Sequence, residues 1–125
     1  MGNNDAAFDP RYLDKMARYS GEPWVPSNPY FARAEAYMEQ LWKELIWPFI
    51  GDCDFAAVLD LAAGLGRNSA KLMAHAGKLL VMDIQPENIE ICSQRFTKHS
   101  SVVCVVNNGY NLLPAGDDSI TLIYC

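Results

Sequence analysis

The sequence has no apolar run approaching the roughly 18–20 residues that a membrane span requires. Its opening, MGNNDAAFDPR, carries no positive segment followed by an apolar stretch, so it does not read as a secretory signal. Position 6, where a myristoylation signal wants Ser or Thr, is Ala6. Only two histidines and four cysteines occur in 125 residues. Cys53, Cys92, Cys104 and Cys125 are far apart and form no C-x-x-C pair, which argues against a metal centre or a disulfide framework. Free thiols suit a reducing compartment, so the cytoplasm is the expected location. Basic residues are also scarce: ten Lys and Arg stand against fifteen Asp and Glu, for a net charge of −5. They are scattered along the chain and leave no footprint for nucleic acid. Neither a nucleic acid nor a membrane is expected as a partner.

What is present is the composition of a soluble globular protein, with 50% hydrophobic and 20% charged residues. Residues 1–28 are polar and rich in proline, with one short helical candidate, RYLDKMARYS. SNPYFARAEAYMEQLWKELIWPFI then reads as a long helix. Asn28 is a suitable cap before Pro29, and Phe31, Ala34, Met38, Leu41 and Leu45 recur at three- and four-residue steps. Pro48 should end the helix or kink its last turn. These features make residues 1–54 an N-terminal segment distinct from residues 55–125.

From Phe55 onward strands and helices alternate. AAVLDLA, KLLVMDI, SVVCVV and SITLIYC read as four strands, GRNSAKLMAHA as a helix, and Pro86 opens a second helix with Ile89, Cys92 and Phe96 on one face. Strands without polar alternation suit a parallel sheet buried on both faces. The order predicts an α/β fold of the doubly wound, Rossmann-like kind, with a mostly parallel sheet and an N-terminal helical segment.

The chemistry concentrates in VLDLAAGLGRNSAKLM. An apolar strand ends near Asp60, a turn of small residues follows, and a helix begins near Arg67 and Asn68. Gly64 and Gly66 let a backbone approach a ligand with no Cβ in the way, although a tight turn alone would also want them. Asp83 closes the second strand, 17 residues after Gly66, where an acid can accept from both ribose hydroxyls. Asp83 could equally cap the helix at Pro86. The pattern serves any adenosine cofactor, NAD and S-adenosylmethionine alike. Two features separate these. The third glycine of a dinucleotide fingerprint is Ser69 here, and Asp60 stands four residues ahead of Gly64. A carboxylate there disfavours an anionic pyrophosphate and favours a cationic ammonium or sulfonium.

The run D-L-A-A-G-L-G resembles motif I of class I S-adenosylmethionine-dependent methyltransferases, D/E-x-G-x-G-x-G, with Ala62 replacing the first glycine. VMDIQPENIE resembles motif II, which implies Asp83 on the ribose and Ile84 against the adenine ring. After the third strand, Asn108 matches the polar residue that meets the adenine amino group. Gly109 offers the nearby backbone, although Asn-Gly is also an ordinary turn. Leu113-Pro114 and Asp117-Asp118 fit the segment before the fourth strand. In relatives, residues before the first strand form a lid, which makes Trp24 and Tyr30 candidates for contact with ligand. The resemblance covers residues 55–125 and implies methyl transfer to a nucleophile, most simply on a small molecule. It also implies a seven-stranded core in the order 3-2-1-4-5-7-6, of which this chain supplies four strands. It names no catalytic residue. An incomplete sheet with an apolar fourth strand at its edge carries the expectation of self-association there. The other readings are an NAD(P)-dependent oxidoreductase fragment and a non-catalytic binding or assembly module.

Overall fold

The computed structural model describes residues 29–125, with side chains from Arg33 onward. The candidate RYLDKMARYS, the cap Asn28 and the lid residue Trp24 lie outside the described residues, and the side chain of Tyr30 does too. The chain divides into two compact units between Phe49 and Ile50.

In the first unit, helix α1 (Pro29–Leu41) runs through a π-helical turn (Trp42–Ile46) into a short α2 (Trp47–Ile50). The wide turn explains one departure from the sequence periodicity. Regular spacing puts Leu45 on the face of Ala34, Met38 and Leu41. The structure leaves Leu45 59% exposed and buries Trp42 instead. A π turn inserts about one extra residue, so the apolar face moves on by one position. Trp42 and Trp47 consequently lie with ring centroids 6.1 Å apart. Pro48 does not end the helix. A proline ring crowds the carbonyl four residues back, here that of Glu44, and the widened turn is placed where this crowding would fall.

The second unit is a four-stranded parallel sheet of β1 (Ala57–Leu61), β2 (Lys78–Asp83), β3 (Val102–Val106) and β4 (Leu122–Tyr124), in the order β3-β2-β1-β4. Helix α3 (Arg67–Met73) connects β1 to β2, and α4 (Pro86–Arg95) connects β2 to β3. Pro86 sits at the first helical turn of α4, where its missing N–H costs nothing. Strand order reverses at β1, which pairs with β2 on one side (Asp60 beside Val81) and with β4 on the other (Asp60 beside Tyr124). Such a reversal places a crevice at the carboxyl ends of the strands.

Side chains alternate across the sheet, so Val58, Asp60, Leu79, Val81, Asp83 and Cys104 share one face. Helices α3 and α4 lie on that face: Ser69 bonds Asp60, and Asn88 bonds Asp83. The core is built there from Val58, Leu79, Val81 and the helix residues Leu72, Ile89, Cys92 and Phe96, all buried. Burial of each larger apolar side chain stabilises by roughly 1.5–3 kcal/mol. The outer strands are less covered than continuous apolar runs suggest. Val103, Val106 and Ile123 are about half exposed, because β3 and β4 are the edges of the described sheet. The fourth strand is also shorter than SITLIYC. Thr121 pins the strand entry, with its N–H donating to the Ala57 carbonyl at 2.8 Å and its hydroxyl turned to the backbone of Ala57 and Asp54.

Candidate functional site

The turn between β1 and α3 takes its shape from left-handed residues. Ala62, Gly64 and Gly66 have φ of 59°, 59° and 82°. At Ala62, where motif I has its first glycine, a Cβ is carried in a conformation that costs an L-residue about 1 kcal/mol. The two glycines play different parts. Among the described residues, a Cβ at Gly64 would meet nothing within 4 Å, so open space lies over it. A Cβ at Gly66 would stand 2.9 Å from the Phe96 ring and 3.2 Å from Cys92 Sγ. Gly66 therefore admits helix α4, whereas Gly64 leaves a cradle for something else.

Helix α4 and the end of β2 hold this turn. Arg95 Nη1 donates to the Leu65 carbonyl at 3.1 Å, and the Cys92 thiol donates to the Gly64 carbonyl at 3.4 Å. Burial, with lesser contributions from its neighbours, pushes the Cys92 thiol up to about 12, so it stays protonated and serves as a donor. From β2, the Met82 carbonyl accepts the Ala63 N–H at 3.0 Å. Asp83 Oδ2 accepts the Gly64 N–H at 2.8 Å.

Asp83 thus has two tasks. Its Oδ1 accepts the Gln85 N–H at 2.8 Å and Asn88 Nδ2 at 3.2 Å, which ties the carboxylate to the start of α4. The capping geometry and the glycine-turn geometry coexist in one side chain, itself 6% exposed. Asp60 lies one step back on the same face and is 2% exposed. Ser69 Oγ donates to its Oδ2 at 2.5 Å. Burial pushes the Asp60 carboxyl up to about 6; the Ser69 bond lowers it and the charge of Asp83 raises it. Tyr124, beside Asp60 on β4, is shifted up by burial and by Asp60.

One further acceptor is left over. Among the described residues, Asn68 Oδ1, in the first turn of α3, is buried with no hydrogen-bond partner. A buried acceptor without a donor costs about 1–3 kcal/mol.

At the end of β3 the structure reassigns the asparagines. Asn108 is exposed, and its Oδ1 accepts the N–H groups of Tyr110 and Asn111 at 2.9 and 3.1 Å. Both lone pairs are engaged within its own turn, so the acceptor expected to meet adenine is already taken. The buried residue is Asn107. Its Oδ1 accepts the Gly109 N–H at 2.8 Å and its Nδ2 donates to the Asn111 carbonyl at 2.8 Å. Its backbone N–H reaches the Asp83 carbonyl at 2.8 Å. Gly109, with φ of 79°, brings this loop against Ile84: a Cβ there would lie 3.2 Å from Ile84 Cδ1. Ile84 is 60% exposed, an apolar surface on the rim of the crevice.

Asp60, Ala62, Gly64, Gly66, Asn68, Asp83, Ile84, Asn108 and Gly109 therefore all lie at or next to the carboxyl ends of β1, β2 and β3. Sequence reasoning missed Ser69, Asn88, Arg95 and Asn107 as parts of this site. Ser69 had a signal, its position three residues before Leu72 on the sheet-facing side of α3. A cavity of about 600 Å³ lies elsewhere, near the amino ends of the strands, lined among others by Ala57, Lys78, Leu80, Ser101 and Pro114. It contains none of the site residues named above. Among the described residues, no group of His, Cys, Asp or Glu could hold a metal ion, and no helix is long and apolar enough to cross a membrane.

A family described as "Methyltransferase domain" matches residues 58–125, more than half of the chain. Among solved structures, a S-adenosylmethionine-dependent methyltransferase from Aquifex aeolicus is 16% identical, with a TM-score of 0.53. The match covers 71% of this chain and 54% of that one. Phosphoethanolamine N-methyltransferase 1 from Haemonchus contortus, solved with phosphoethanolamine and S-adenosylhomocysteine, is 19% identical with a TM-score of 0.53. That match covers 82% of this chain and 22% of the other. The chain thus spans about half the length of the first relative and less of the second, and at these identities the likeness shows the fold. Comparison with curated protein sequences finds no match. With the family model matching residues 58–125 and the fold shared with such enzymes, the chain belongs to the methyltransferase-domain family.

Proposed function

We propose that the crevice at the carboxyl ends of β1, β2 and β3 binds S-adenosylmethionine, and that the chain is the cofactor-binding part of a methyltransferase acting on a small molecule. The observation that carries this reading is Asp60, a buried acid ending β1 beside a glycine turn with open space over Gly64. The donor set fits the cofactor. An acid at this depth favours a cation, Asn68 Oδ1 is an acceptor in want of a donor, and Ile84 offers an apolar rim. A pyrophosphate would instead bring negative charge toward Asp60, which disfavours the nicotinamide reading.

When bound, the cofactor supplies an electrophilic methyl group on a sulfonium. The chain's own residues do the holding. Asp60 faces the cationic methionine end, and the Gly64 backbone lets that end approach. Asp83, already fixed by Gly64, Gln85 and Asn88, accepts from the ribose with its remaining lone pair. Ile84 and Gly109 flank the adenine, and reaching the Asn108 amide would require it to release a turn N–H. This rigidity is what methyl transfer asks of the protein, since the reaction depends on alignment more than on side-chain chemistry. The acidic chain and its scattered basic residues support a small-molecule acceptor over a nucleic acid. Calorimetric titration with S-adenosylhomocysteine and with NAD tests the reading. Binding of the first and not the second is expected, and the reverse order overturns it.

A further inference from the structure

Ser69 occupies the position where a dinucleotide fingerprint has its third glycine, and it is fully buried. Its hydroxyl has one evident use, the 2.5 Å bond to Asp60 Oδ2. We propose that Ser69 is a positioning residue of the crevice: it holds the Asp60 carboxylate by one oxygen and leaves the other to meet the cationic end of the ligand. The proposal rests on the reading of the crevice as a S-adenosylmethionine site.

The surroundings of Asp60 make this bond consequential. Asp83 faces it from β2, Tyr124 from β4, Cys92 from α4, and Ser69 from α3. Asp83 opposes a second negative charge, Cys92 and Tyr124 bring no positive charge, and burial opposes ionisation outright. Among the described residues, Ser69 is the neighbour that favours the carboxylate. In the free protein the acid is therefore poised near pH 6. When an ammonium group arrives, the neutral acid gives its proton to solvent and the carboxylate pairs with the cation. Binding should thus weaken as pH falls through 6. Without the Ser69 hydroxyl, the same weakening should begin about one pH unit higher, as for the loss of one hydrogen bond to a charged group.

The experiment is a calorimetric titration of the full chain with S-adenosylhomocysteine from pH 5 to pH 8, for the wild type, Ser69→Ala and Ser69→Cys. Carbon NMR of the Asp60 carboxyl is recorded in the absence of ligand. Ser69→Ala should bind about five- to tenfold more weakly at pH 6 and equally at pH 8. Its Asp60 titration should move upward in the free protein. Ser69→Cys, which retains a weak donor, should fall between. In an Asp60→Asn background, Ser69→Ala should change neither affinity nor its pH dependence. An unchanged midpoint in Ser69→Ala, or an effect that persists in the Asp60→Asn background, overturns the role of Ser69 while the cofactor reading stands. Failure of the wild type to bind at any pH overturns both.

Discussion

Asp83 and Gly64, nineteen residues apart, are joined by a 2.8 Å hydrogen bond from the glycine N–H to Oδ2. Through it the end of β2 fixes the height of the turn that follows β1. The other carboxylate oxygen reaches Gln85 and Asn88, so one side chain sets both the turn and the start of the next helix. Removing it does more than remove a ligand contact. Asp83→Ala should lower unfolding free energy by about 2–3 kcal/mol in urea, because buried donors lose a charged acceptor. It should also weaken cofactor binding. Unchanged stability would mean that the three bonds are dispensable and Asp83 serves ligand alone.

The two turn glycines should separate by substitution. Gly66→Ala combines a positive φ with a Cβ 2.9 Å from Phe96, and should destabilise by about 2–3 kcal/mol. Gly64→Ala meets only the conformational cost, about 1 kcal/mol, but fills the cradle and should reduce affinity for S-adenosylhomocysteine. Denaturation and calorimetry on both variants check the contrast. Equal effects on folding and binding would contradict it.

Ala62 is the converse case. It is exposed and holds φ of 59°, a strain that glycine would not feel. Ala62→Gly should therefore stabilise the protein by about 1 kcal/mol in a denaturant titration, after allowing for the greater freedom of the unfolded chain. A loss of stability would show that the Cβ makes a contact worth more than the strain.

Asp60 gives the free protein a pH dependence of definite sign. Its folded carboxyl titrates near 6, against an ordinary value of 3.8 in the unfolded chain. Between those values the unfolded chain has already lost the proton that the folded chain keeps. Stability therefore falls as pH rises from about 4 to about 6, by up to about 3 kcal/mol, and is level above that. Asp60→Asn should abolish this segment of the stability profile. A wild-type profile that rises across the same window from this residue would contradict the burial of the acid.

Much of this was readable from the residues, for reasons that are local. Ile89, Cys92 and Phe96 form the buried face of α4 because helical spacing alone puts them there. Asp60, Gly64 and Asp83 come together because parallel strands carry their carboxyl ends to one edge. What escaped the sequence depends on a third partner. Gly66 reads as a ligand glycine until Phe96 is seen behind it. Asn108 reads as the polar residue after β3 until the structure buries Asn107 and leaves Asn108 exposed. Leu45 sits on the predicted face only if the helix keeps its regular pitch, and the π turn at Trp42–Ile46 does not.

The central claim is that adenosine of the cofactor lies against the ends of β1, β2 and β3. Backbone amide shifts of the nitrogen-labelled chain, recorded with and without S-adenosylhomocysteine, test it most directly. The largest changes are expected at Gly64, Asp83, Ile84 and Gly109. Changes confined to Lys78, Ser101 and the other residues lining the 600 Å³ cavity near the amino ends of the strands would contradict it.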